Sequence, residues 1–270
     1  MSDKLAIGAV RSLKVDVLTE TGWFDDARFK QNMAEYGGAE QTQYRIAWDP
    51  ENAGGYAALL TVTLLDGDQR KILLDTGWSN DWMDYVFARH GVDRMLERGE
   101  IDFMVLSHWH LDHYWGIEST LKHNPRLKIY APATWRVEDQ ALLKEKRNIQ
   151  VEDRDGRIIL ICSNNVPHEG ELILTEAQGE DGSGIYRLLP GVALRMFDAS
   201  MILQVRGENA LYVNVADKGI VTVTGCGNHE PARLRQGSPR RARALRLLWR
   251  PAFERLRYLE AGVRCNHRTR

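Results

Sequence analysis

No apolar run in these 270 residues approaches the roughly 20 needed to span a bilayer. The opening MSDKLAIGAVRSLKVDV lacks the apolar stretch of about 7–15 residues and the small-residue cleavage site of a secretory signal. Cysteine is scarce: Cys162, Cys226 and Cys265 are too few and too scattered for a disulfide framework. A soluble cytoplasmic protein is therefore the expectation. With 43% hydrophobic and 27% charged residues, the chain is not wholly disordered, collagenous or coiled-coil. Its length suits one sizeable core, or two domains at most.

Lysine is missing from the C-terminal end. Residues 230–270 hold twelve Arg, no Lys and three Glu, a net +9, so the overall −1 leaves −10 on residues 1–229. The expected organisation is a folded domain over 1–229 and an Arg-rich tail over 230–270.

LKVDVLT (13–19) alternates apolar and polar residues, as a half-buried strand does. Residues 20–55 show no clear period and read as a long loop, of the kind that forms lids or binding loops, unless its aromatics only pack it down. YAALLTVTLLDGD (56–68) and KILLDTG (71–77) flank a turn signal and predict a hairpin. Residues 80–97 have helical spacing interrupted at Gly91. IDFMVLS (101–107) predicts a buried strand, 112–123 a helix, LKIYAP (127–132) a strand ending at Pro132, and 134–147 a polar helix. Short strands follow at 157–162, 171–176, 191–197, 201–207, 209–215 and 219–225. Strands with helices, then strands again, predict two sheets with helices outside, a layered α/β arrangement.

The chemistry concentrates in Ser107-His108-Trp109-His110-Leu111-Asp112-His113, directly after the 101–107 strand. In extended backbone His108 and His110 leave the same face. Asp112 and His113 open the next helix, where a tight turn can aim them at the same point. Imidazole and carboxylate together suit zinc, with iron or manganese as alternatives. A structural zinc site more often uses CxxC cysteines, which are absent; a carboxylate among histidines suits a site open to water.

LLDTG (73–77) followed by SHWHLDH (107–113) resembles the metallo-β-lactamase fold superfamily, whose motif is HxHxDH after a strand. GIVTVTGCG (219–227) narrows the resemblance to the metal-dependent hydrolases related to the dihydropterin synthase of methanopterin biosynthesis. The resemblance covers roughly residues 10–228. It implies an αββα four-layer sandwich, incomplete at the C-terminus, with two zinc ions per chain at one edge between the sheets. Carried over, His108 and His110 hold the first metal, and Asp112 and His113 the second. Asp75 orients them from behind. Activated water attacks the substrate, and Asp112 also orients or deprotonates that water.

The third motif departs from the pattern. The family places His two residues after the Cys of Gly-Cys; here Asn228 stands there and His229 comes one place late. The late family histidine has no clear counterpart. Three readings of 230–270 stay open: a frame change that replaced the native end, an amphipathic helix interrupted by Pro251, or a nucleic-acid arm. His229 is the candidate rescue ligand, with Cys265 and His267 as weaker ones, and the expectation is lowered metal affinity and doubtful activity. His168 reads as a surface histidine, Cys226 as a small packing residue beside the site, and Cys162 as a core strand residue. Trp109, Tyr114 and Trp115 either wall the pocket or pack the core.

The leading function is a metal-dependent hydrolase acting on a small molecule with a polarised carbonyl or phosphate. The alternatives are a dihydropterin synthase-like transferase and an inactive relative that serves as a binding module. A nucleic-acid partner fits poorly with a −10 body. No membrane partner is expected, and the sequence leaves the oligomeric state open.

Overall fold

The computed structural model describes residues 7–20, 55–77, 80–135, 140, 143, 151–154, 157–160, 165–179, 182–200 and 206–226. Most of the expected 20–55 loop and of the 134–147 helix lies outside them. So do Cys162, residues 201–205, His229, Cys265, His267 and the whole 230–270 tail.

Six strands form the first sheet, in the order β1-β2-β3-β4-β5-β8. They are β1 Ser12–Thr19, β2 Ala57–Thr63, β3 Gln69–Leu74, β4 Phe103–Val105, β5 Ile129–Pro132 and β8 Leu172–Thr175. β1, β2 and β3 pair antiparallel; β3, β4, β5 and β8 run parallel. β6 Val151–Arg154 and β7 Arg157–Leu160 make a separate two-stranded hairpin. The second sheet is antiparallel, in the order β12-β11-β10-β9. Its strands are β9 Tyr186–Leu189, β10 Val192–Ser200, β11 Arg206–Val215 and β12 Gly219–Thr224.

Residue alternation builds the layers. On β2, Ala58, Leu60 and Val62 face the second sheet, while Ala57 and Leu59 face the helices. β3, β4 and β5 repeat the pattern: Ile72, Leu74, Phe103, Val105 and Tyr130 point inward, and Leu73, Met104, Ile129 and Ala131 outward. Because both faces are covered, these strands read as near-continuous apolar runs rather than clean alternations. Val192, Leu194, Leu211, Val213, Val221 and Val223 meet them from the second sheet.

The helices cover the outer face of the first sheet. α1 (Asn80–His90) and α2 (Val92–Glu97) are separated by Gly91, whose φ of 70° ends the first helix and starts the second. Met83, Val86, Phe87, Val92 and Leu96 bury against the sheet, each worth roughly 1.5–3 kcal/mol of apolar transfer when fully enclosed. Among the described residues no helix covers the outer face of the second sheet, and none is long and apolar enough to cross a membrane.

Three expectations change. The strand expected over 101–107 is only Phe103–Val105, because Ser107 turns its N–H and hydroxyl to Asp75 instead of a ladder. The helix expected over 112–123 is two short helices, α3 Leu111–Tyr114 and α4 Ile117–Leu121. Gly116 separates them and lies so close to β3's end that a Cβ there would sit 2.1 Å from the Thr76 carbonyl. His168 is buried, not on the surface: its N–H donates to Leu143 O at 2.8 Å and its Nε2–H to Leu127 O at 2.6 Å.

Burial holds the His168 pKa below its ordinary 6.5, against the smaller opposing pull of the Leu127 carbonyl. The folded state therefore binds fewer protons at this ring than the unfolded chain. Its contribution to stability is complete above pH 6.5 and is lost as pH falls toward the folded value. His168→Gln, whose amide can still donate to Leu127 O, should flatten the fall in unfolding free energy between about pH 7 and about pH 5.5. Urea denaturation across that range measures it; an unchanged pH slope would contradict the assignment.

Candidate metal centre

The carboxyl ends of the parallel strands β3 and β4 meet the end of β12 at one edge of the sandwich. Such strand ends are where open α/β sheets place their ligands. Asp75 follows β3 with φ 58°, a left-handed conformation that costs a non-glycine residue roughly 1–2 kcal/mol. Its N–H still pairs with Val105 O at 2.9 Å, while its fully buried carboxyl turns toward the end of β4.

Three donors meet that carboxyl. Ser107 N–H reaches Oδ1 at 2.6 Å, Ser107 Oγ–H reaches Oδ2 at 2.6 Å, and His113 Nδ1–H reaches Oδ2 at 2.7 Å. With its proton committed to Asp75, the Ser107 hydroxyl accepts from His108 Nδ1 at 2.8 Å. The hydrogen-bond network thus assigns the Nδ1–H tautomer to both His108 and His113. Their Nε2 atoms are left facing one another's space.

Into that space comes Cys226. Its Sγ is 3.2 Å from His108 Nε2 and 3.3 Å from His113 Nε2. Donor atoms of His108, His113 and Cys226 all lie within 4.8 Å of one another, a grouping that could hold a metal ion. His110 Nδ1 is 2.8 Å from His108 Nε2, a separation at which two ring nitrogens share a proton or ligate one ion. Asp112 Oδ2 stands 3.6 Å from His113 Nε2, with its side chain 22% exposed against 2% for His113. The four residues of the HxHxDH run therefore come together, with Asp112 on the solvent side. Trp109 and Tyr114 belong to the core behind them, and Trp115 packs against it.

Cys226, read from the sequence as a small packing residue beside the site, does pack against the core, and its sulfur also faces the two histidines. The signal lay in its place: it follows the end of β12 just as the histidines follow the end of β4. Burial pushes its thiol pKa up to about 11, against the pull of His113. Burial likewise opposes protonation of His113, but the neighbouring acidic groups, Asp112 and Asp75 among them, hold its pKa well above 6.5, so in the metal-free protein Nε2 carries a proton that a cation would have to displace. The donor chemistry fits a metal: imidazoles, a sulfur and a carboxylate are the ligand types of zinc and its neighbours.

Residues 60–185 match the family model of the metallo-beta-lactamase superfamily. The match takes in both LLDTG and HxHxDH, and the chain carries the metallo-β-lactamase fold. Similar solved structures include a metallo-beta-lactamase with a HARLDQ motif from Cronobacter sakazakii, at 18% identity over 61% of this chain and 56% of that one, TM-score 0.38. Others are Rm3 metallo-beta-lactamase (16%, 64% and 55%, TM-score 0.40) and the metallo-beta-lactamase MIM-1 from Novosphingobium pentaromativorans (19%, 68% and 64%, TM-score 0.37). The chain thus spans 55–64% of the length of these three structures. No curated protein matches it in sequence.

Gly225 lets this edge close. A Cβ there would lie 2.1 Å from Ser107 Oγ and 2.7 Å from Asp75 Oδ2. Gly225→Ala should cost about 1–3 kcal/mol, as overpacking of a rigid site does. It should also loosen the Ser107 bond that orients His108. A urea midpoint equal to that of the native chain would show that the edge is softer than drawn.

Proposed function

We propose that this chain is a metal-dependent hydrolase of the metallo-β-lactamase superfamily, acting on a small molecule with a polarised carbonyl or phosphoryl group. The observation that carries the reading is the convergence of His108 Nε2, His113 Nε2 and Cys226 Sγ, with His110 Nδ1 and Asp112 Oδ2 beside them. Zinc is the proposed cation, with iron or manganese as alternatives, at two sites per chain by the family resemblance. His229, outside the described residues, stays in the proposal as an additional ligand. When bound, such a cation supplies Lewis acidity that polarises the substrate oxygen and acidifies water.

The chain's own residues divide the work. Asp75 and Ser107 hold a proton on Nδ1 of His108 and His113, so that both present Nε2. Asp112, the most solvent-reached of these donors, orients the attacking water and takes its proton. Cys226 fills a ligand place that the altered third motif had left open, so metal affinity is less weakened than the motif alone implied.

Elemental analysis of the full chain tests the proposal. Native protein should retain about one or more zinc equivalents after dialysis. His108→Ala and His113→Ala should each weaken zinc binding by more than the ~10–100-fold typical of losing only an outer partner. Hydrolysis of activated ester and phosphodiester substrates should fall with the zinc. Metal-free native protein, or hydrolysis that survives both substitutions, would defeat the reading. Saturable quenching of a fluorescent pterin would instead move the reaction class to the transferase of the resembling branch.

A further inference from the structure

Glu208 lies at the start of β11, fully buried although it is a carboxylic acid. Burying such a group is unfavourable unless hydrogen bonds compensate. Its Oε1 accepts from the Thr224 hydroxyl and from the Cys226 backbone N–H, the latter at 3.1 Å. The position is informative. The β11–β12 ladder ends at Ala210↔Thr224. Continued by two residues, the register would set Glu208 opposite Cys226. The chain leaves the ladder at Gly225, where it presses against Ser107 and Asp75. The Glu208 side chain then replaces the missing rung, taking the Cys226 N–H that a strand carbonyl would have taken.

We propose that Glu208 is a positioning residue of the cation centre: by holding the Cys226 backbone it sets Sγ between the Nε2 atoms of His108 and His113. The proposal rests on the metal reading above for its functional meaning, and on the Glu208–Cys226 contact for its geometry. Glu208 acts on the centre through Cys226. Thr224 is its support, a hydroxyl on the last rung of β12 that orients the carboxyl. The neighbouring Asn209 faces the other way and ties Ser107 O, Leu106 O and Thr175 to the same strand. The first two residues after Gly207 thus anchor both ligand-bearing loops to β11.

The test uses the full chain with cobalt(II) as probe, and peptide-resolved alkylation of the metal-free protein. Native protein should show a near-ultraviolet sulfur-to-cobalt charge-transfer band. Glu208→Ala should lose most of that band and bind cobalt ~10-fold or more weakly, with the ligand-field bands from the histidines retained. Glu208→Gln keeps an oxygen acceptor and should keep the band. In chelated protein the Cys226 peptide should alkylate several-fold faster in Glu208→Ala than in the native chain. Should Glu208→Ala not fold, Thr224→Val carries the test: it removes one of the carboxyl's donors at similar volume, and should weaken the band part-way. An unchanged band and unchanged alkylation rate in Glu208→Ala, or in Thr224→Val where that variant carries the test, overturn the role of Glu208 alone. So does an equal loss in Glu208→Gln. A native chain with ligand-field bands but no charge-transfer band overturns the sulfur's place in the centre and the role of Glu208; one that binds no cobalt overturns the cation reading itself.

Discussion

The site hangs on one buried carboxyl. Asp75 leaves β3 in a left-handed conformation and takes three hydrogen bonds, two from Ser107 at the end of β4 and one from His113 in α3. Such bonds are strong in a dry interior, and the group would be costly to bury without them. They do more than compensate. They join the end of β3 to a loop and a helix more than thirty residues further along the chain, and they hold a proton on Nδ1 of each ring. His113 is set directly. His108 is set at one remove, through a hydroxyl that gives its proton to Asp75 and accepts one from the ring. Ser107 is therefore not an interchangeable lead-in to the histidine run: alanine there would leave His108 Nδ1 without its acceptor and Asp75 with two of its three bonds.

The second sheet contributes to the same geometry from the opposite side. Asn209 donates its backbone N–H to Ser107 O and its side-chain amide to Leu106 O, and accepts from Thr175. These bonds cross between the sheets, where most of the contact is apolar and has no direction. Hydrophobic burial fixes how far apart the sheets sit; only directional bonds fix how one slides along the other. The Cys226 sulfur belongs to one sheet and the imidazoles to the other, so that sliding position decides whether the three donors meet.

How much of this could be read in the sequence follows from how local each signal is. The strand alternation of 13–19, the hairpin at Asp66-Gly67-Asp68 and the break at Gly91 are short-range features, and the structure has them where the pattern puts them. LLDTG and SHWHLDH carried the fold family because both motifs lie next to their strands. The short β9 was not expected, since Tyr186–Leu189 is held by pairing to β10 rather than by its own pattern. His168 looked exposed because Pro167 and Gly170 flank it; two carbonyls distant in sequence, Leu127 and Leu143, bury it. Cys226 was read as a small packing residue beside the site, and it does pack against the core; its closeness to His108 and His113 depends on the inter-sheet register, which no sequence window contains.

The donor set also constrains the cation. In the protein alone, burial keeps the Cys226 thiol protonated, with its pKa at about 11. Occupying all three donors therefore requires a cation that displaces that proton through a strong sulfur bond. Magnesium and calcium, which prefer oxygen ligands, gain too little from a thiolate to do so. Zinc and ferrous iron bind thiolate and imidazole together; manganese, weaker in the divalent series, is the poorest of the three candidates here. The sulfur thus separates cations that the HxHxDH run treats alike. On the proposed metal reading, the choice among cations would therefore be made by the second sheet, through the sulfur it brings to the histidines.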